Sequence, residues 1–175
     1  MKSSQPHSAL PSLRSAQRAP IGLYTAEERV RRDSTIWTPV QGVLAPLQFL
    51  VFLVSLGLVL RYLATGEGYA IAAWSIVVKT GVLYVIMVTG AIWEKVVFGQ
   101  YLLAPAFFWE DVFSFLVIGL HTAYLWALFT AALDPTALML LALSAYATYV
   151  VNAVQFIFKL RAARLQAATF QEAAA

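Results

Sequence analysis

The chain of 175 residues contains no cysteine. A disulfide framework, a thiolate metal site and a cysteine nucleophile are therefore excluded, and several enzyme classes go with them. Charge is almost as scarce: 12% of residues carry one, against 61% that are hydrophobic. Mean hydropathy reaches +0.73, far outside the range of a soluble domain of this length. The opening stretch MKSSQPHSALPSLRSAQRAP has Ser, Pro and Arg but no apolar centre, so residues 1–22 read as a disordered basic tail and not as a signal peptide.

What the chain has instead is long uncharged runs. Ser34 to Leu60, Val112 to Leu133 and Pro135 to Phe158 carry no charge, and Gly68 to Trp93 carries only Lys79. A hydrocarbon layer of roughly 30 Å needs about 20 apolar residues of helix. The pattern predicts an all-α integral membrane protein with four transmembrane helices at about 38–60, 71–93, 112–133 and 136–158. These spans lie in a single membrane domain over 23–165, followed by a disordered C-terminal tail over 166–175. Six Lys or Arg precede the first span and three (Lys159, Arg161, Arg164) follow the last, which puts both termini on the cytoplasmic side. The segment Tyr24 to Asp33 reads as an interfacial helix resting on headgroups. The net charge of +3 sits mainly in the tails, where anionic lipid accounts for it without nucleic acid.

Polar and ionisable groups in hydrocarbon are costly and usually face a bundle interior. Their spacing here is regular. Gln41, Gln48 and Ser55 recur every seven residues; Ser144, Thr148 and Asn152 recur every four, continued by Gln155 and Lys159; Glu110, Ser114 and His121 share one helical face. Taken singly, such residues serve as hydrogen-bonding glue between helices, Lys79 can snorkel, and Glu94-Lys95 can be a solvated pair. Taken together with Glu94, Glu110 and Asp111 at one rim, they describe a polar cleft entered from the cytoplasm. The segment 96–108 would close over its mouth, and Trp37, Trp93 and Trp109 would form an aromatic belt at that face.

The strings LYTAEERVRRDSTIWT, VQGVLAPLQFLVFLVSL, LRYLATGEGY, VTGAIWEKVVFGQYLLAPAFFWEDVFS, LHTAYL and YATYVVNAVQFIFKLRAARL resemble the bacteriochlorophyllide vinyl hydratases of phototrophic bacteria. The likeness runs from about Leu23 to Leu165, with leucine at 103 where the family string carries phenylalanine. It implies a hydro-lyase of bacteriochlorophyll biosynthesis in the bacterial inner (photosynthetic) membrane. Such an enzyme adds water across the 3-vinyl group (2-vinyl in older numbering) of chlorophyllide a or 3-vinyl bacteriochlorophyllide a, giving the 3-(1-hydroxyethyl) product. Contact with other enzymes of that pathway is implied as well.

That chemistry needs an acid and a placed water, and no redox cofactor. Glu110 beside Trp109 is the first choice for general acid, because burial among apolar groups and other carboxylates keeps a carboxyl protonated. Asp111 or Glu94 would then accept a proton from water and stabilise the cation. His121 is either a proton donor or a ligand to the substrate's magnesium; the chain needs no metal of its own. Substrate-binding candidates are Trp93, Trp109, Gln48, Asn152 and Gln155, with Lys95, Lys159 or Arg161 near the pigment's propionate. A non-enzymatic pigment carrier or assembly factor, and a purely structural four-helix protein, are the competing readings.

Overall fold

The computed structural model describes residues 23–174, with side chains through Leu165; the expected N-terminal tail over 1–22 lies outside the described residues. The described residues form helices α1 (Ala26–Ser34), α2 (Trp37–Thr65), α3 (Tyr69–Phe98), α4 (Phe108–Phe129) and α5 (Pro135–Ala174). Four of them, α2 to α5, are long and apolar enough to cross a membrane. The third starts and stops four residues earlier than the sequence pattern predicts. It ends at Phe129 with Thr130 as its cap, Ala131 turns into left-handed backbone (φ 51°), and Asp134 caps the next helix by accepting from the Thr136 and Ala137 amides at 2.9 and 3.1 Å. Asp134-Pro135 is thus an N-cap followed by a proline at the first helical position, where the missing N–H costs nothing.

The C-terminal segment departs from expectation more strongly. Where a disordered tail was expected from residue 166, α5 continues to Ala174. The sequence KLRAARLQAA is built from strong helix formers, so nothing in it stops a helix already nucleated in the apolar span. At 1.5 Å per residue this helix is roughly 60 Å long, about twice the hydrocarbon thickness.

Two antiparallel pairs, α2 with α3 and α4 with α5, pack into one bundle. Its polarity is inverted relative to a soluble protein. Val54, Trp74, Val78, Trp126 and Phe129 face outward, whereas Gln48, Ser55, Lys79, Glu94, Glu110, Asp111, Ser114, His121 and Asn152 are buried. Lipid offers apolar side chains the same environment as a core, so the interior is left for polar groups that pair between helices. The apolar part of the interior centres on Phe52, Val59, Ile76, Val117, Tyr124, Met139 and Tyr146.

Helix α1 begins with a capping box in which the Thr25 hydroxyl accepts from the Glu28 amide and the Glu28 carboxylate accepts from the Thr25 amide. It packs against the end of the bundle. Arg31 donates to the Val97 carbonyl at 2.8 Å, satisfying the C-terminal end of α3, and Tyr24 stacks on Phe98 at 5.8 Å. Burial pushes the Tyr24 phenol above its usual pKa, opposed by Arg32 over its ring. Trp93, Phe98, Phe107 and Phe156 complete this aromatic cluster at one end of the bundle.

Candidate functional site

The rim cluster is made by the α3–α4 connection. Helix α3 ends at Gly99 in left-handed backbone (φ 85°), which glycine adopts without a Cβ penalty. The chain turns back through Leu103, itself at φ 61°. Two carboxylates hold that turn: Asp111 accepts from the Leu103 amide at 2.6 Å and Glu94 from the Ala104 amide at 3.3 Å. The Glu94 and Asp111 side chains also meet each other. Asp111 and Glu110 both lie in the first turn of α4, where the helix dipole favours negative charge. Glu110 pairs with Lys159 of α5 at 2.6 Å; the Lys159 ammonium in turn lies 5.2 Å from the Phe107 ring.

A second cluster lies at mid-bundle. Lys79 and His121 are fully buried and in contact, Nζ to Nε2 at 2.5 Å. His121 Nδ1 lies 2.7 Å from the Val117 carbonyl, which can only accept. Nδ1 therefore carries a hydrogen, and the Lys79 contact holds a single proton between Nζ and Nε2. The Tyr149 and Tyr146 rings face the Lys79 ammonium at 4.2 and 5.3 Å, a cation–π environment in place of water. Next to it the Tyr146 hydroxyl, Ser55 Oγ and Ser75 Oγ form a chain at 2.6 and 2.7 Å that ends on the Ala72 carbonyl. Because that last group only accepts, every hydroxyl hydrogen in the chain is used, and its role is to join α2, α3 and α5.

Between rim and centre, Asn152 donates to Ser114 Oγ at 2.8 Å, while Gln41 donates to Thr89 at 2.7 Å. Both amide atoms of Gln48, Asn152 Oδ1 and Gln155 Oε1 are buried without a partner. On the outer surface a groove of about 380 Å³ between α2 and α3 is lined by Leu50, Val51, Val54, Trp74, Ser75 and Val78; Ser75 joins it to the hydroxyl chain, and none of the rim acids lines it. Among the described residues no group of three His, Cys, Asp or Glu is arranged to hold a metal ion.

The profile of the family described as 2-vinyl bacteriochlorophyllide hydratase matches residues 24–162. The chain belongs to that family. A relative named 2-vinyl bacteriochlorophyllide hydratase from Cereibacter sphaeroides is 74% identical over 144 residues, covering 82% of this chain and 89% of its own length. Another of the same name from Rhodobacter capsulatus is 72% identical over 147 residues, covering 84% and 85%. No solved structure matches.

For this hydratase-family chain, the residues picked from sequence fall into two groups. Glu94, Asp111, Glu110 and Lys159 are brought together, and Gln48, Asn152 and Gln155 lie inside the bundle behind them. Trp93 backs the rim, its indole N–H donating to Thr38 at 2.9 Å and its ring packed on Phe107 at 5.7 Å. Trp109 turns outward, 66% exposed and edge-on to Phe108. Lys95 is exposed too, donating to the Gly99 carbonyl at 2.7 Å beside Tyr101. The α5 stripe also differs from the four-residue repeat: Ser144 and Thr148 bond back to their own helix at Leu140 and Ala145, and the buried face runs through Tyr146, Tyr149 and Asn152.

Lys79 does not snorkel. It is the partner that the sequence left His121 without, and its signal was a lone charge at mid-span. The tyrosines around it left no signal, because aromatics in an apolar run read as ordinary core or lipid contacts. His121 has both ring nitrogens engaged, so serving as a magnesium ligand would require Lys79 to move away first.

Proposed function

We propose that this chain hydrates the 3-vinyl group of chlorophyllide a or 3-vinyl bacteriochlorophyllide a, and that the buried acids at the rim of the bundle carry the chemistry. The observation that supports the substrate is the family match over residues 24–162. Support for the chemistry comes from two unlike carboxyl environments side by side: Glu94 facing Asp111, and Glu110 facing an ammonium. Two carboxyls in contact hold a proton between them more readily than two negative charges, whereas an ion-paired carboxylate accepts a proton and does not donate one.

The roles follow from that contrast, and they exchange those expected from sequence. The Glu94–Asp111 pair gives its proton to the terminal CH₂ of the vinyl group, leaving positive charge on the inner carbon and the macrocycle. Water bonds to the inner carbon and passes its surplus proton to Glu110. The rim acids then return to their starting state by proton exchange with bulk water. The sum is one water added, with no electron transferred, so the reaction calls for no redox cofactor; magnesium enters only as part of the substrate. Lys159, held at the rim beside Glu110, is the cation to meet the pigment's anionic propionate. In membranes bearing this chain, chlorophyllide a in water labelled with heavy oxygen should yield a product with one labelled hydroxyl. An unlabelled or unchanged pigment would refute hydration, and pigment that is bound but unchanged would favour the carrier reading.

The rim faces the cytoplasm in this reading, and both termini lie there, in the inner membrane of a phototrophic bacterium. The cations of α1 and the distal part of α5 support it. A periplasm-specific reporter should be active when fused near Gly66 and silent near the C-terminus; activity at the C-terminus would reverse the orientation.

A further inference from the structure

Gln48 is 2% exposed and Asn152 is 8% exposed, yet Gln48 Oε1, Gln48 Nε2 and Asn152 Oδ1 have no partner. Nearly all buried polar atoms in proteins are paired, and those that are not call for an explanation. The helix register brings these two residues to the same level. Antiparallel α2 and α5 are aligned by Phe52 against Tyr149, ring centroids 5.0 Å apart, and by Ser55 against Tyr146. Gln48 is four residues before Phe52 and Asn152 three residues after Tyr149, so both lie about one turn further toward the rim. Gln155, whose Oε1 is also unpartnered, is a turn further still, followed by Lys159 with Glu110. Asn152 is tied to Ser114, one turn along α4 from Glu110.

The chemistry of these atoms selects their ligand. Three of the four are acceptors and need a hydrogen-bond donor. A magnesium chlorin has its pyrrole nitrogens on the metal and otherwise carries carbonyl and ester oxygens, which can only accept. Water donates twice and accepts as well: two hydrogens to Gln48 Oε1 and Asn152 Oδ1, and a lone pair for Gln48 Nε2, the three bonds typical of a buried water. We infer that Gln48 and Asn152 hold the reacting water one turn inward of Glu110, with Gln155 on its route from the rim. Both residues are positioning residues: they orient the water oxygen toward the inner vinyl carbon, and once that bond forms the surplus proton, held at the Asn152 side, leaves through water at Gln155 Oε1 to Glu110. This rests on the hydratase reading.

The test uses methanol as a competing nucleophile. Its oxygen bonds to the inner carbon and loses its proton, as water does, giving a 3-(1-methoxyethyl) product. With the full-length protein in water–methanol mixtures, Gln48→Ala and Asn152→Ala should raise the ether-to-alcohol ratio several-fold over the parent. The variants free the space of an amide and release the hold on water, so the bulkier nucleophile competes better. Turnover should fall by about 10²-fold, the scale of a misplaced reactant, with KM for the pigment nearly unchanged. Gln48→Met keeps the length, suits an apolar interior and lacks both hydrogen-bonding atoms; it should fold where alanine does not and move the ratio the same way. A ratio equal to the parent's in folded variants would overturn the assignment. So would a ratio that moves only with Glu110→Gln, which would place the water at the rim. If the parent forms neither alcohol nor ether, the hydratase reading fails and not the water site alone.

Discussion

Glu94→Gln and Asp111→Asn are each expected to lower vinyl hydration by about 10²- to 10⁴-fold, the range for a lost general acid, with pigment still bound. The substitutions separate chemistry from structure because both carboxylates also brace the α3–α4 turn. An amide keeps one acceptor oxygen, so the Leu103 and Ala104 amides retain their partners while a carboxyl able to hold the donated proton is lost. Replacement by alanine would confound the two, since it would unpair the buried Ala104 amide or the amide of left-handed Leu103. Glu110→Gln should also lower turnover, by about 10²-fold as a lost base. Single-turnover assays with chlorophyllide a read all three. Full turnover in the Glu94 and Asp111 variants with loss only in Glu110→Gln would return the donor role to Glu110. Normal turnover in all three, with loss only in His121→Ala, would make the rim acids braces of the turn and move the chemistry to mid-bundle.

The largest stability effect is expected at Lys79 and His121. Changing His121 to leucine strands the Lys79 ammonium, fully buried and faced only by two tyrosine rings. Leaving a buried amine without its hydrogen-bond partner costs about 1 to 3 kcal/mol, and more where it stays charged. Lys79→Met removes the charge itself and leaves His121 bonded to Val117, so it should cost less. The double variant Lys79→Met/His121→Leu should recover most of the loss, because apolar side chains replace the whole pair. Thermal unfolding in detergent gives the order: His121→Leu lowest, the double variant near the parent. Equal losses in both single variants that add in the double one would show that the two side chains are not coupled. Turnover of a stable double variant then decides whether the pair does more than hold α3 to α4.

Much of this was legible in the sequence, for a reason specific to membranes. Lipid demands long uncharged runs, so the number of spans follows from charge spacing alone, and membership of the hydratase family was readable in strings such as APAFFWEDVFS. The same rule makes every intramembrane polar residue conspicuous, which is why Gln48, Glu110, Asp111, His121 and Asn152 could be chosen before any fold was known. Charge patterns say little about where a helix stops. Helix α4 ends at Phe129 through backbone geometry, and α5 passes the end of its apolar run because residues 159–174 favour helix.

Pairing was decided by tertiary structure alone. Helical periodicity assigns a residue to a face of its own helix but contains no term for the register or rotation of the neighbour. Lys79 and His121 are 42 positions apart and Glu110 and Lys159 are 49 apart, and only the packing of α3, α4 and α5 makes them partners. Packing likewise divides three neighbouring acids between an acid–acid contact and an ion pair, turns Trp109 away from the interior, and brings Gln48 level with Asn152. Composition determined that this chain would enter a membrane and keep polar groups inside it. Which of those groups share a proton depends on side-chain positions a few ångströms apart, and these are set by helix packing.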